Sequence, residues 1–179
     1  MKIYFMRHGE SEYNVNRLVN GNVKVKVPLT ELGIEQAREA GKKLANKKIE
    51  VIFASPFLRT LQTAEAVNRY LNVKIIVDKR LREINFGFEG KNVEEYREMR
   101  RRSDIVTVKF RLMGKESFLD VKKRAKSFIA WLKKQDYENV LIVGHEIIVQ
   151  SAFAILGKMS DEKAFSTSVK NCECFRFYF

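Results

Sequence analysis

Short apolar runs alternate with amphipathic stretches along this chain. Five runs, at 2–6, 50–54, 74–77, 139–143 and 172–179, are rich in β-branched or aromatic residues, and each predicts a strand. The middle ones are almost continuously apolar, as expected of strands covered on both faces. Between them, apolar residues recur at helical spacing. Thr30 is placed to cap a helix running to about Asn46, with Leu32, Ala37, Ala40 and Leu44 on or near one stripe. Ser55-Pro56 reads as a helix start, Ser as cap and Pro in the first turn, followed by Leu58, Leu61, Ala64 and Val67. Phe118, Val121, Ala125, Phe128 and Leu132 form another stripe. The stretch from His145 to Leu156 is apolar enough for a buried helix, with Gly157 to stop it. A more exposed helix is expected over 93–102.

Strands alternating with helices predict an α/β fold: a single-domain, three-layer α/β/α sandwich around a mostly parallel sheet. Its 179 residues suit one domain, with no repeat or Pro-rich linker to divide 1–179. The stretch 87–116 fits the alternation least well and is expected to form a flap. No apolar stretch approaches the roughly 20 residues that span a bilayer, so no membrane partner is expected. The opening run meets Arg7 too soon for an export signal, which makes a cytoplasmic location the expectation.

Composition adds a preference for anions. With 34 basic against 22 acidic residues, the formal net charge is +12. Much of the excess lies in Arg97-Glu98-Met99-Arg100-Arg101-Arg102 and Lys122-Lys123-Arg124, which read as solvated helix faces. Abundant Lys, Glu, Arg, Ile and Val with few Gln suggest a thermophilic source. The two cysteines, Cys172 and Cys174, have no second Cys/His pair near in sequence to complete a zinc site. Both are expected on one face of the last strand.

The chemistry-bearing residues follow the strands. Arg7-His8-Gly9-Glu10 follows the first, Ser55-Pro56-Phe57-Leu58-Arg59 the second, Glu83 the third and Gly144-His145-Glu146 the fourth. Ligands of open α/β sheets bind at the carboxyl ends of strands, so Arg7, His8, Arg59, Glu83 and His145 should gather at one edge. Both histidines of the chain are among them. Two guanidinium forks suit phosphate or carboxylate. Gly9 would allow backbone to approach a ligand, and helices starting near Ser55 and His145 would offer N–H groups to an anion. Arg7 and Arg59 would repel a cation, so no metal and no cofactor is expected. A neutral imidazole among cationic groups fits nucleophilic attack on phosphorus, with Glu83 as candidate proton donor.

Arg7-His8-Gly9-Glu10-Ser11 with Asn14 resembles the signature of the histidine phosphatase superfamily, the phosphoglycerate mutase-like group. The resemblance continues through Leu29-Thr30-Glu31-Leu32-Gly33 with Gln36-Ala37, and through Ser55-Pro56-x-x-Arg59-Thr60-x-Gln62-Thr63-Ala64. It then takes in Leu81-x-Glu83-x-x-Phe86-Gly87-x-Glu89-Gly90, Gly114-x-Glu116-Ser117 and Val143-Gly144-His145. The resemblance implies a phosphoglycerate mutase-like fold and a metal-independent, histidine acid-type phosphatase. His8 would take the phosphoryl group, with Arg7, Arg59 and His145 around its oxygens and Asn14 as a further side-chain donor. Glu83 would protonate the leaving oxygen and then help activate water. The segment Asn22-Val23-Lys24-Val25-Lys26-Val27 departs from the family's Trp- and Asp-containing pattern, so specificity does not carry over. Glu146 stands where a small residue is common; it would tune His145 or cap the next helix, the cap being favoured.

The implied substrate is a small phosphorylated metabolite or a phosphoprotein. A phosphoglycerate mutase using the same five residues is the alternative. A non-catalytic phosphoanion-binding protein and a nucleic-acid-binding module are weaker readings. No groove-reading or RNA-binding motif points to specific nucleic-acid recognition. The aromatic run 172–179 could pair as an edge strand across a homodimer.

Overall fold

The computed structural model describes residues 1–102, 108–111 and 115–179, without the side chains of 96 and 99–102. One five-stranded sheet organises the chain. Its strands are β1 (Lys2–Arg7), β2 (Val51–Ala54), β3 (Lys74–Val77), β4 (Asn139–Gly144) and β5 (Cys174–Tyr178), in the order β3-β2-β4-β1-β5. The first four are mutually parallel; β5 runs antiparallel to β1. The helices are α1 (Glu12–Val15), α2 (Glu31–Leu44), α3 (Leu58–Leu71), α4 (Val93–Arg102), α5 (Phe118–Leu132), α6 (Glu146–Ile155) and α7 (Asp161–Ser166).

Helices α2 and α3 cover one face, burying Ala37, Ala40, Leu44, Ala64 and Val67 against Tyr4, Met6, Ile52, Leu141 and Val143. Helices α5 and α6 cover the other, with Phe128, Ile148 and Val149 against Ile3, Phe5, Phe53 and Ile142. Successive strand residues point to opposite faces, which is why neighbours such as Phe53 and Ile52 enter different cores. Every residue of β2 and β4 is buried, as their unbroken apolar runs predicted. β3 differs: it lies at the sheet edge and leaves Lys74 and Val77 exposed.

Thr30 caps α2 as expected, accepting from the Gly33 N–H at 3.0 Å. Ser55 does not cap α3. The helix starts later, with Phe57 at the cap position, and the Ser55 hydroxyl turns to His145 instead. The terminal strand also starts late. Cys172 lies in a turn with φ 55°, so only Cys174 is in β5. Burial pushes both thiols up to about 12. The solvated reading of Lys122-Lys123-Arg124 fails at Arg124, whose guanidinium donates to the Arg80 and Glu83 carbonyls and pairs with Glu116. Gly114 and 103–107 of the expected flap lie outside the described residues. No described helix is long and apolar enough to cross a membrane.

Candidate active site

Parallel register brings the two histidines together. β1 and β4 pair Arg7 with Gly144, and β2 and β4 pair Ala54 with Val143. The residues that follow β1 and β4 therefore leave the sheet at the same level, His8 beside His145, with Ser55 one residue lower, beside Gly144. Two bonds hold this edge, His8 N–H to the Gly144 carbonyl and Ser55 N–H to the Val143 carbonyl, both 3.0 Å. The imidazoles of His8 and His145 meet edge to face with centroids 5.4 Å apart. Both rings are buried.

Arg7, His8, Asn14, Arg59 and Glu83 line one cleft of about 510 Å³. The fully buried His145 touches Arg59 and Glu83. The six candidate residues thus converge. A larger groove of about 830 Å³, between α2 and β5, contains none of them.

His8 is held by its own backbone. Nδ1 lies 2.7 Å from the Gly9 carbonyl oxygen. A carbonyl can only accept, so Nδ1 carries the ring proton and Nε2 keeps its lone pair. That lone pair faces Arg59, whose Nε donates to it at 3.0 Å. Burial, then the charges of Arg59 and Arg7, hold the His8 pKa well below the usual imidazole value. His145 is depressed by burial, then by Arg59. Both rings are neutral at physiological pH.

Gly9 serves packing rather than a ligand. A Cβ there would strike the carbonyl oxygen of Gly33, and the Gly9 N–H donates to Thr63 at 3.0 Å. The loop after β1 is thus pressed between α2 and α3. The Gln36 side chain accepts from the Glu10 N–H, and Gln62 from the Leu29 N–H.

Arg59 is the hub. Its guanidinium donates to His8 and to both the side-chain and main-chain oxygens of Asn20. It lies 3.2 Å from His145 Nδ1 and 3.7 Å from Glu83 Oε2, and stacks 4.6 Å over Phe57. Burial pulls its pKa down to about 10, so it stays cationic at neutral pH. Asn20 is fixed in turn by Glu89, which accepts from its amide at 2.8 Å and from the Gly21 and Asn22 N–H groups.

Arg7 donates to the Val169 carbonyl at 2.5 Å. Its Nε is the one buried side-chain nitrogen or oxygen without a hydrogen-bond partner among the described residues. Glu83 is half-buried, with Oε1 accepting from the Ile84 N–H and Oε2 3.4 Å from His145 Nδ1. Burial raises its pKa, against the pull of Arg59. Glu146 does not cap α6, where His145 takes the cap position. Its carboxylate accepts from the Val169 N–H at 2.8 Å and sits 3.9 Å from Arg7. Asn14 is placed differently from a simple donor: its Oδ1 accepts from Ser11 and Asn171, which leaves its amide nitrogen unpartnered among the described residues.

Sequence reasoning missed Asn20, Ser55, Thr63, Arg124 and Asn171 as parts of the site. Thr63 lay inside a quoted motif without a role, and Ser55 was read as a helix cap. Asn20 and Asn171 carried no local signal.

An arrangement of paired guanidinium groups, an orphaned buried N–H donor, an imidazole with a free lone pair and a carboxyl of raised pKa can bind a tetrahedral anion, attack it and protonate a leaving group. Among the described residues, no group of three or more His, Cys, Asp or Glu is placed to hold a metal ion. Comparison with known proteins agrees with this chemistry. Phosphoserine phosphatase 1 of Hydrogenobacter thermophilus is 31% identical over 164 residues, 88% of this chain and 77% of its own length. Fructose-2,6-bisphosphatase TIGAR of Xenopus tropicalis is 35% identical over 132 residues; the match covers 71% of this chain but only 48% of TIGAR. The solved structure of Bacillus stearothermophilus YhfR superposes with a TM-score of 0.84 at 30% identity, covering 98% of this chain and 89% of that one. Other relatives carry phosphoglycerate mutase in their names. Residues 3–179 match the histidine phosphatase superfamily (branch 1), and the chain belongs to that family.

Proposed function

We propose that this protein hydrolyses a small phosphorylated metabolite through a phosphohistidine at His8. The observation that carries this reading is the His8 ring itself: Nδ1 donates to Gly9 at 2.7 Å, so Nε2 is left as a nucleophile beside two arginines. In the first step Nε2 attacks phosphorus, the P–N bond forms and the P–O bond to the leaving group breaks. Arg59 shifts its Nε–H from His8 to a phosphoryl oxygen. Arg7 Nε, the Asn14 amide and His145 supply further donors. Glu83 gives its proton to the leaving oxygen. In the second step Glu83, now a carboxylate, takes a proton from water as the water oxygen attacks phosphorus. The P–N bond breaks, and inorganic phosphate and the resting imidazole return.

Arg7 and Arg59 supply the positive charge that a divalent ion would bring to such a transition state, so the reaction is proposed to need no metal. The acid-type reading is supported by Glu83: its carboxyl must be protonated to act, and its raised pKa keeps it so further up the pH scale. A volume of about 510 Å³ suits a small metabolite. The stretch 87–116 is proposed as a flap over the entrance, since Val93 and Arg97 line the cleft. The side chains of Arg100–Arg102, expected as a solvated helix face, lie outside the described residues. We read the chain as a single-domain cytoplasmic enzyme of heat-adapted composition, with the edge strand β5 as a surface for a homodimer.

A mutase reading has support in the relatives named for that activity. One assay separates the two. Incubation with 3-phosphoglycerate and with an aryl phosphate, with and without EDTA, should release inorganic phosphate without a bisphosphate primer and without loss to the chelator. Faster formation of 2-phosphoglycerate than of phosphate would favour the mutase. Full loss with EDTA, restored by one divalent ion, would overturn the anion-site reading.

A further inference from the structure

We infer that Ser55 is a positioning residue that fixes which nitrogen of His145 carries the proton, and so makes Nδ1–H the donor turned to the phosphoryl group. This rests on the proposed role of His145 beside the substrate.

Two sides of the His145 ring give different information. On the Nδ1 side stand a donor and an acceptor: Arg59 Nη2 at 3.2 Å and Glu83 Oε2 at 3.4 Å. Nothing there decides where the ring proton sits, because Nδ1 could accept from Arg59 or donate to Glu83. On the Nε2 side stands one hydrogen-bonding group among the described residues, the Ser55 hydroxyl, at 2.8 Å. Ser55 and His145 are both fully buried, and His145 Nε2 is the only partner of Ser55 Oγ among the described residues.

That isolation breaks the tie. A hydroxyl has one proton to give and lone pairs to receive with. If Nε2 were protonated, Ser55 would have to accept, and its own proton would be buried without an acceptor. If Nε2 is bare, Ser55 donates to it and no donor on either residue is orphaned. Leaving a buried donor unpaired is the costlier arrangement. The proton therefore belongs on Nδ1. The assignment costs Arg59 its bond to His145 Nδ1 at 3.2 Å, but the guanidinium keeps Nη2 on the Asn20 carbonyl at 3.2 Å, Nε on His8 and Glu83 Oε2 at 3.7 Å, whereas the Ser55 hydroxyl has no second partner among the described residues.

The assignment makes the two histidines a matched pair with opposed tasks. His8 is fixed as Nδ1–H by the Gly9 carbonyl, which frees Nε2 to attack. His145 is fixed as Nδ1–H by the Ser55 hydroxyl, which presents a donor to the oxygen that gains charge. The place of Ser55 before Pro56 fits this task. Its N–H is tied to the Val143 carbonyl of β4, and its own carbonyl accepts from Thr60. The hydroxyl is thus held at a fixed height beside the residue that follows β4.

The test is a ¹⁵N imidazole spectrum of the resting protein, at a pH where both rings are neutral and Glu83 is ionised. Only two histidines contribute, and His8→Ala assigns them. The expected result is a protonated Nδ1 and a bare Nε2 at His145. Ser55→Ala should shift His145 toward Nε2–H and lower kcat/KM about tenfold, the effect of one lost hydrogen bond. Ser55→Thr should restore the wild-type tautomer. A wild-type ring protonated at Nε2 would overturn the inference even if no variant folded, as would an unchanged tautomer in Ser55→Ala. The spectrum does not depend on turnover, so an error in the proposed reaction would leave it unmoved.

Discussion

Arg59 Nε donates to His8 Nε2 across 3.0 Å, so in the resting protein the nitrogen proposed to attack phosphorus is occupied by the group proposed to bind the phosphoryl oxygens. In the proposed reaction the guanidinium leaves that nitrogen for a phosphoryl oxygen. Its far end is anchored by Asn20, which is anchored by Glu89.

Removing that anchor should therefore be felt at the nucleophile. Asn20→Ala takes one hydrogen bond from a buried charge, worth about 1.5–3 kcal/mol. Steady-state kinetics should show kcat/KM down by about 10- to 100-fold. Thermal stability should fall modestly, because the backbone around Asn20 keeps its bonds to Glu89. Unchanged kinetics would mean that Phe57 and Glu83 suffice to place Arg59.

The pH profile follows from opposed shifts. Burial, with Arg59 and Arg7, depresses the His8 pKa, so its neutral form persists well below 6.5. Burial raises the Glu83 pKa above 4.5, so its acid form persists to higher pH. Activity should fall on the acid side as His8 is protonated and on the alkaline side as Glu83 ionises. Glu83→Gln should abolish the alkaline limb. It should slow alkyl phosphates on the order of 10²–10⁴-fold and nitrophenyl phosphate much less, since a good leaving group needs no proton. Equal losses on both substrates would make Glu83 structural.

Stability moves oppositely for the two kinds of group. The contribution of the depressed His8 and His145 is fully present above about 6.5 and is lost as pH falls through their folded values. That of Glu83 is fully present below about 4.5 and is lost as pH rises through its raised value. Denaturant titrations across pH should show the acid-side loss shrink in His145→Gln.

Gly9→Ala tests the packing of the loop that carries His8. The new Cβ would meet the Gly33 carbonyl oxygen, which is backbone and cannot turn aside. Overpacking of this kind costs about 1–3 kcal/mol. Thermal denaturation should register that loss, and activity should drop further than stability alone explains. A neutral substitution would show that α2 can move away from the loop.

The strands, α5, α6 and the convergence of the five principal candidate residues were legible because each signal is local. An unbroken apolar run marks β4, and polar clusters mark the ends of the parallel strands. What was not legible depends on partners distant in the chain. Ser55 reads as a cap from its neighbours, yet its hydroxyl is claimed by His145, 90 residues on. Asn20 gains meaning only from Arg59 and Glu89, 39 and 69 residues away. Arg124 sits in a basic run, but the fold turns its guanidinium onto the Glu83 carbonyl. Gly9 looked like room for a ligand because its contact with Gly33 exists only once α2 docks.

The central claim is that His8 carries the phosphoryl group, and trapping that group tests it most directly. Enzyme mixed with ³²P-labelled substrate and quenched within one turnover should hold label that is acid-labile and alkali-stable, as a phosphoramidate is. Peptide mapping should place it on His8, and His8→Ala should fold, bind and take up none. Label on a serine or aspartate, or turnover by His8→Ala, would contradict the account.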